Sequence, residues 1–195
     1  MAKTKKKGMN KTLRLLMISD IFVISGFGFI APILAIFIKD NLIGGTILAA
    51  GIASAIFLIT QSILQIIFSY NFNPRDRLWM LWLGTGCVAL VPFGYIFSTH
   101  IYHIYFIQFI YGVGAAFAYP SWSSIFTSNL EKGKRGFQWS IYSSTAGIGT
   151  AITAGVGAWL AEKTSFQVVF IITGILSIVG LLVLFRLEKK VLRKI

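Results

Sequence analysis

The sequence predicts an all-α integral membrane protein with six transmembrane helices. Of its 195 residues, 56% are hydrophobic and only 12% are charged, and the charged residues cluster in short breaks between long apolar runs. A soluble domain would have about a quarter of its residues charged. None of the long runs alternates between apolar and polar residues as a membrane β-strand does. Helices are therefore expected, because a helix pairs its backbone polar groups within its own segment.

Six apolar runs are long enough to cross a bilayer, which requires about 20 residues of helix. The predicted spans cover residues 13–38, 46–70, 78–98, 102–128, 140–161 and 166–187. The transmembrane bundle is thus expected over residues 12–187. A basic tail at 1–11 precedes it and a second basic tail at 188–195 follows it.

The basic residues indicate how the chain is oriented. All but two of the 18 Lys and Arg residues lie in the tails, or at the ends of spans that meet the same side of the membrane; only Lys39 and Lys163 lie on the other side. Because basic loops stay in the cytoplasm, both termini are expected on the cytoplasmic side of a plasma (inner) membrane. The net charge of +12 is then a topology signal that also favours anionic lipid headgroups. No basic soluble module is evident, so nucleic-acid binding is not expected.

Polar residues are shared unequally among the spans. Spans three and six carry almost none, which is typical of helices with a lipid-facing surface. Spans one, two, four and five carry an acid, glutamines and several hydroxyl residues. Polar side chains at membrane depth usually face the bundle interior or a watery cavity. These four spans are therefore expected to surround a cavity that spans three and six support.

Asp20 is the only ionisable residue deep within a predicted span. An acid inside the membrane is a functional candidate by default, and low dielectric makes a carboxylate costlier to keep charged. Asp20 is therefore the candidate for coupling transport to protons. In the alternative, it lies near the cytoplasmic interface, pairs with Arg14 or another basic group, and serves only topology or packing.

Seven further residues are candidates for lining the substrate cavity, because each places a polar or aromatic group inside a span. They are Gln61, Gln65, Gln108, Tyr111, Tyr119, Trp122 and Thr145. Tyr119 and Trp122 could offer an aromatic wall to an apolar or cationic substrate. The alternatives are hydrogen bonds between neighbouring helices for the glutamines, and anchoring at the headgroups for Tyr119 and Trp122.

Glycines and prolines recur at positions that predict close helix packing. Span five carries two rows of small residues, and spans one and four each contain a Gly-x-Gly followed by a proline. The residues are Gly26, Gly28, Pro32, Gly112, Gly114, Pro120, Gly147, Gly149, Gly155 and Gly157. Small residues four apart let helices approach closely in lipid. The paired Gly/Pro segments predict two inverted three-helix repeats, although Gly and Pro are also common in membrane helices generally.

The sequence gives no sign of an enzyme. It contains no nucleophile–base pair, no phosphate-binding loop and no Cys/His cluster of metal-ligand spacing. His100 and His103 alone make a poor metal site. No catalytic residue, cofactor or metal is therefore expected.

The stretch from Gly112 to Phe170 resembles the major facilitator superfamily. It reads GVGAAFAYPSWSSIFTSNL and continues EKGKRGFQWSIYSSTAGIGTAITAGVGAWLAEKTSFQVVF. The segment GFGFIAPILAIF in span one resembles the first helix of the drug-efflux branch. The resemblance implies the N-terminal half of a secondary transporter that moves small molecules by alternating access, with nested inverted repeats.

The chain departs from the family pattern at several positions. The loop after span two reads SYNFNPRDRLW, so only Arg75, Asp76 and Arg77 resemble the family's cytoplasmic latch. Lys134 and Arg135 would complete that latch after span four. Gln108 stands where the span-four motif has arginine, and Thr153-Ala154 replaces the Gly-Pro of the antiporter motif.

Family members usually have twelve spans, and six predict half of that fold. Asp20 and the glutamines would then face lipid unless a partner half covers them, because a central acidic residue costs about 2.5–3.5 kcal/mol to insert. The first hypothesis is a half-size transporter that exports substrates with proton coupling and pairs with a second copy or a separately encoded half. The second is a transport-incompetent scaffold or partner subunit, or a fragment of a twelve-helix transporter.

Overall fold

A computed structural model describes residues 9–72 and 78–187, and most of this part of the chain is helical. Its seven helices are α1 (Lys11–Ile30), α2 (Leu34–Asn41), α3 (Ile47–Asn71), α4 (Leu78–Ile96), α5 (Ile101–Ser128), α6 (Arg135–Lys163) and α7 (Phe166–Leu184). Five of them, α1, α3, α4, α5 and α7, are long and apolar enough to cross a membrane. The prediction of an all-α membrane protein is therefore confirmed.

The first predicted span is not one continuous helix. Helix α1 ends at Ile30, a turn covers 31–33, and the short helix α2 follows. Pro32 stands in this turn, and proline breaks a helix because it lacks an N–H and its ring clashes with the carbonyl one turn earlier. Pro120 differs, because α5 continues through it from Ile101 to Ser128.

The bundle has two ends of different charge. The basic end holds the start of α1, the α5–α6 connection and the end of α7, where Asn10 donates a hydrogen bond to Asn129 Oδ1 at 2.8 Å. The neutral end holds the connections 42–46, 97–100 and 164–165. There Ile43 and His100 form a short parallel bridge, which joins the α2–α3 and α4–α5 connections.

The helices pack in a pattern that treats the two halves of the bundle alike. Helix α1 packs mainly against α6 and α7, and α5 packs mainly against α3 and α4. Helices α4 and α7 also pack against each other. If the helices before residue 97 exchange places with those after it, these main helix contacts are unchanged, whereas the smaller α2–α3 and α6–α7 contacts have no comparable counterpart.

Two apolar clusters close the ends of the bundle. The neutral-end cluster includes Phe37, Tyr95, Ile104 and Phe170, and Phe37 meets Phe170 edge to face with ring centroids 4.9 Å apart. The basic-end cluster contains buried residues from five helices: Leu13, Leu16, Met17, Leu78, Leu81, Trp122, Ile125, Phe126, Tyr142, Ala146 and Leu184, with Leu187. A space remains between the two clusters, at the middle of the bundle.

Glycines set how closely the central helices approach. Five of the predicted packing glycines face a neighbouring helix at a distance where a Cβ would crowd it: Gly28, Gly112, Gly114, Gly149 and Gly157. A Cβ at Gly112, for example, would lie 2.7 Å from Thr60 Cβ on α3. A Cβ at Gly26 would make ordinary van der Waals contact with α7. Gly147 and Gly155 differ, because a Cβ at either would meet no atom within 4 Å. Of the two small-residue rows of α6, one therefore packs on α1 and the other is open.

Helices α3 and α6 bury little of their surface in this bundle. Only Ala49, Ala50 and Ala53 of α3 are buried. The opposite side of α3 is a row of exposed apolar residues, among them Leu58 and Ile59. In α6, the open glycine row adjoins exposed Ile148, Ile152, Val156 and Trp159. Each of these two helices therefore presents an uncovered apolar face.

The two glycine rows of α6 predict opposite responses to the same substitution. Gly157→Leu places a Cβ 2.7 Å from Phe29 Cα on α1, and we expect it to destabilise the bundle by about 1–3 kcal/mol, as overpacking does. Gly155→Leu, two residues earlier, enters open space and should leave stability almost unchanged. Thermal unfolding of the purified chain in detergent measures both. Equal loss from the two variants would contradict this packing.

Candidate functional site

A cavity of about 200 Å³ lies in the middle of the bundle, between the two apolar clusters. Six helices contribute to its wall, and most of the lining side chains are apolar or aromatic. The lining residues are Ser19, Asp20, Val23, Ile24, Phe57, Gln61, Leu81, Thr85, Val88, Tyr111, Ala115, Ala118, Tyr119, Trp122, Tyr142 and Leu184. Five predicted cavity candidates are among them: Gln61, Tyr111, Tyr119, Trp122 and, for proton coupling, Asp20.

Asp20 is held in this cavity by Tyr142. The Tyr142 hydroxyl of α6 donates a short hydrogen bond to Asp20 Oδ2 of α1. Among the described residues the ion pair is Lys134–Glu131, so Arg14 does not pair with Asp20. The carboxyl group therefore lies in the cavity wall with a neutral hydroxyl as its partner, and its charge is not cancelled by an adjacent cation.

The wall of the cavity toward the basic end is aromatic. Trp122 stacks on Phe126 with ring centroids 4.6 Å apart and lies 4.9 Å from the ring of Tyr142. Its indole Nε1 donates to the carbonyl oxygen of Leu16 at 3.5 Å. Because Trp122 is only 6% exposed, it lies inside the bundle and not at its polar surface.

The wall toward the neutral end is a stack of three rings from three helices. Tyr111 of α5 lies between Phe27 of α1 and Phe57 of α3, with centroid distances of 4.8 and 4.2 Å. Phe57 and Tyr111 line the cavity, and Phe27 and Tyr111 also pack against the neutral-end cluster. This aromatic stack therefore separates the cavity from the neutral end.

The structure places three predicted candidates outside this cavity. Gln65 lines a second, more open groove of about 570 Å³ between α3 and α5 near the basic end. Tyr119 lines both spaces. Thr145 is exposed and donates to the carbonyl oxygen of Ile141 at 2.7 Å. Gln108 is 4% exposed and lies beyond the aromatic stack.

Three polar side chains that line the cavity, Ser19, Thr85 and Tyr142, were not predicted from the sequence as site residues. Tyr142 was passed over because its hydroxyl has no sequence neighbour that signals a role; its position four residues from buried Gln138 and Ala146 places it on the packed face of α6. Ser19 lines the cavity beside Asp20, and its hydroxyl donates to the Gly180 carbonyl oxygen at 2.7 Å. Contact between α1 and α6, which the sequence does not give, brings Tyr142 to Asp20, whereas Ser19 directly precedes Asp20 in the chain.

The basic end contains the remaining predicted residues. Lys134 forms an ion pair with Glu131 at 3.3 Å, and both side chains are solvent-accessible. Arg135 is exposed at the first residue of α6. The other latch candidates, Arg75, Asp76 and Arg77, lie outside the described residues.

The two histidines serve the neutral-end connections. His100 Nδ1 accepts from the Tyr102 backbone N–H at 3.4 Å, and His103 Nδ1 accepts from the Thr99 backbone N–H at 3.3 Å. In the described part of the chain, no three His, Cys, Asp or Glu residues converge as metal ligands would. The histidine contacts are those of local backbone caps.

Sequence comparison identifies the protein family to which this chain is similar. Residues 16–195 match the model of the Major Facilitator Superfamily. The chain is 24% identical to an uncharacterised MFS-type transporter of Methanocaldococcus jannaschii, over 95% of this chain and 48% of that protein. It is 28% identical to multidrug resistance protein 2 of Bacillus subtilis, over 80% of this chain and 39% of the relative.

A multidrug resistance efflux pump of Streptococcus pneumoniae gives a similar result. It is 23% identical over 83% of this chain and 41% of its own length. The chain thus spans about half the length, or less, of the relatives that it matches. The resemblance that the sequence showed at spans four and five therefore extends over most of the chain.

Proposed function

Because the chain belongs to the Major Facilitator Superfamily, a family of membrane transporters, we propose that it is a secondary active transporter unit that moves small molecules by alternating access. The observation that carries this proposal is the central cavity, which is closed by an apolar cluster at each end and has one carboxyl group in its wall. A cavity between packed helices is where transporters of this architecture bind their substrates. The coarser conclusion, a membrane transporter and not an enzyme, follows from family membership.

The cavity lining favours lipophilic substrates. Four aromatic side chains, Phe57, Tyr111, Tyr119 and Trp122, line the cavity, and Asp20 supplies a negative charge when ionised. Aromatic side chains and a carboxylate together suit an organic cation. The printed names of the Bacillus and Streptococcus relatives, a multidrug resistance protein and a multidrug efflux pump, support export of small molecules as the direction of transport.

Proton coupling is assigned to Asp20. Its carboxyl group lines the cavity, and Tyr142 supplies a hydroxyl that can hydrogen-bond to both the charged and the neutral carboxyl group. With no adjacent cation among the described residues to fix the charge, a bound proton and a bound cationic substrate would compete for the same carboxyl group. Such competition couples export of one to import of the other.

The exposed faces of α3 and α6 support the need for a partner half. The open row of Gly147, Ala151 and Gly155 lets another helix approach closely in lipid. The chain also covers only 39–48% of the transporters named above. We assign these two faces to a second six-helix unit, which is another copy, a separately encoded half or the remainder of a longer chain. A unit that only scaffolds such a partner is the second candidate, because the departures at Gln108 and Thr153-Ala154 remove family motif residues.

The helix contacts support two inverted three-helix repeats. The exchange of the two halves described above is what a two-fold axis in the membrane plane would produce. In this arrangement α1 with α2 forms the first span and α6 the fifth. Helix α6 has 29 residues, or roughly 43 Å of helix, enough to cross the bilayer. The basic end is then cytoplasmic.

Replacing Asp20 tests the coupling. Asp20→Asn keeps the shape and the Tyr142 contact but cannot bind or release a proton, so we expect pH-gradient-driven transport of a lipophilic dye in vesicles to lose its dependence on pH. Asp40→Asn, which changes the acid at the neutral end of α2, is the matched control and should keep it. Unaltered pH dependence in Asp20→Asn would rule out this role.

Cysteine crosslinking tests the partner face. In a Cys87→Ser background, Ala151→Cys on the open row of α6 should form an oxidant-induced disulfide with the same cysteine of a second copy in native membranes. Leu182→Cys, at a 56% exposed position of α7, faces lipid and should give little crosslinking. If both positions crosslink to the same extent, the partner does not dock on α6.

Labelling tests the orientation. Gly133→Cys, in the α5–α6 connection at the basic end, should react with a membrane-impermeant maleimide in inside-out vesicles and not in intact cells. A cysteine at Ile43, in the neutral-end connection, should show the opposite preference. Reaction of residue 133 in intact cells would invert the proposed topology.

A further inference from the structure

Gln108 is a buried amide with an unused acceptor. Its side chain is 4% exposed, and its Oε1 accepts no hydrogen bond from the described residues. Buried polar groups nearly always have a partner, and an exception calls for a specific explanation. A carbonyl oxygen without a donor inside a membrane bundle marks a position that a donor of another molecule would satisfy.

The position of Gln108 relates it to the central cavity. On α5, Gln108 precedes Tyr111 by three residues, which is roughly 4.5 Å closer to the neutral end. By helical periodicity it points in nearly the same direction as Ala115 and Tyr119, which line the cavity. Gln108 therefore lies on the same face of α5 as these cavity-lining residues, about one turn closer to the neutral end than Tyr111, but it does not line the cavity itself.

The aromatic stack of Phe27, Tyr111 and Phe57 is what separates the two. Its rings overlap in parallel fashion, with interplanar angles of 21° and 28°. The three rings come from three different helices, so a small relative movement of those helices parts them. Helix α1 ends three residues after Phe27, at the turn that contains Pro32, so Phe27 sits close to a break in its own helix.

We propose that the Gln108 amide is a second ligand-binding position, closed off from the central cavity by the Phe27–Tyr111–Phe57 stack, and that it takes a hydrogen-bond-donating group of the ligand when the stack opens. The ligand chemistry is an N–H or O–H donor on a lipophilic molecule, because Oε1 is an acceptor and the surroundings are the neutral-end apolar cluster. Asp20 and Gln108 then mark successive positions on one route toward the neutral end. This assignment rests on the proposed transport function, which gives such a route its purpose.

Thiol accessibility tests the closure. In a Cys87→Ser background, Gln108→Cys should react slowly with N-ethylmaleimide in the purified chain, and adding Phe57→Ala or Phe27→Ala should speed the reaction by about tenfold or more, since reactivity follows exposure. Leu58→Ala, the neighbouring residue on the exposed side of α3, is the matched control and should not. Two opening variants on different helices guard against misfolding of one. Fast reaction without them, or no acceleration by either, would overturn the closure.

Ligand chemistry tests the binding position. Ethidium carries two amino groups that donate hydrogen bonds, whereas tetraphenylphosphonium, also a lipophilic cation, carries none. Gln108→Met has similar length without the amide, so we expect it to weaken ethidium binding to the purified chain by about threefold or more, with tetraphenylphosphonium binding almost unchanged. Equal weakening of both probes, weakening of neither, or no ethidium binding by the parent chain would overturn the assignment.

These measurements are separate from the test of transport. Thiol reaction and dye binding need no flux and no partner unit, whereas the proposed function is tested by pH-driven transport in vesicles. A chain that transports but shows equal probe responses retains the proposed function and loses the Gln108 position. A chain that discriminates the probes but moves neither retains the binding position and loses the transporter role.

Discussion

The whole arrangement depends on how closely helix backbones can approach in hydrocarbon. Lipid is as apolar as the helices themselves, so the hydrophobic effect does not drive them together and direct contact must do so. Glycine supplies that contact at Gly28 and Gly157 between α1 and α6, and at Gly112 between α5 and α3. In each Gly-x-Gly, the two glycines face two different neighbouring helices. Gly26 and Gly28 of α1 face α7 and α6, and Gly112 and Gly114 of α5 face α3 and α4.

The cavity is the counterpart of this close packing. Where α1 and α5 carry glycine, neighbouring backbones touch; where α1 and α5 carry Asp20, Tyr111 or Trp122, the same helices stand beside an open space. Large side chains then close the space at its two ends, in the neutral-end and basic-end clusters. Small and large residues alternating along two helices therefore produce both the tight bundle and the chamber within it.

The sequence was informative where one residue's chemistry decides the outcome. Lipid excludes unpaired polar groups, so the apolar runs became helices, and Asp20, Gln61 and Trp122 were turned inward. It was uninformative where the outcome depends on which helices meet. Tyr142 reaches Asp20 only because α6 lies against α1. Gln108 was expected in the cavity but does not line it. The ring of Tyr111 lies between Gln108 and the cavity, stacked on Phe27 and Phe57, which are 84 and 54 positions earlier in the chain.

The two rows on α6 show that packing inside this unit does not account for all of its small residues. Gly149 and Gly157 meet Ser25 and Phe29 of α1, whereas Gly147 and Gly155 meet nothing. Glycine lowers helix stability by about 1 kcal/mol relative to alanine. In the open row, no close helix contact inside the bundle offsets this loss of stability. The second unit proposed above would supply a helix that packs on this row. Gly51 of α3 also faces open space. Helices α3 and α6 change places when the two halves of the bundle are exchanged, and each therefore carries glycine on a face that no neighbouring helix covers.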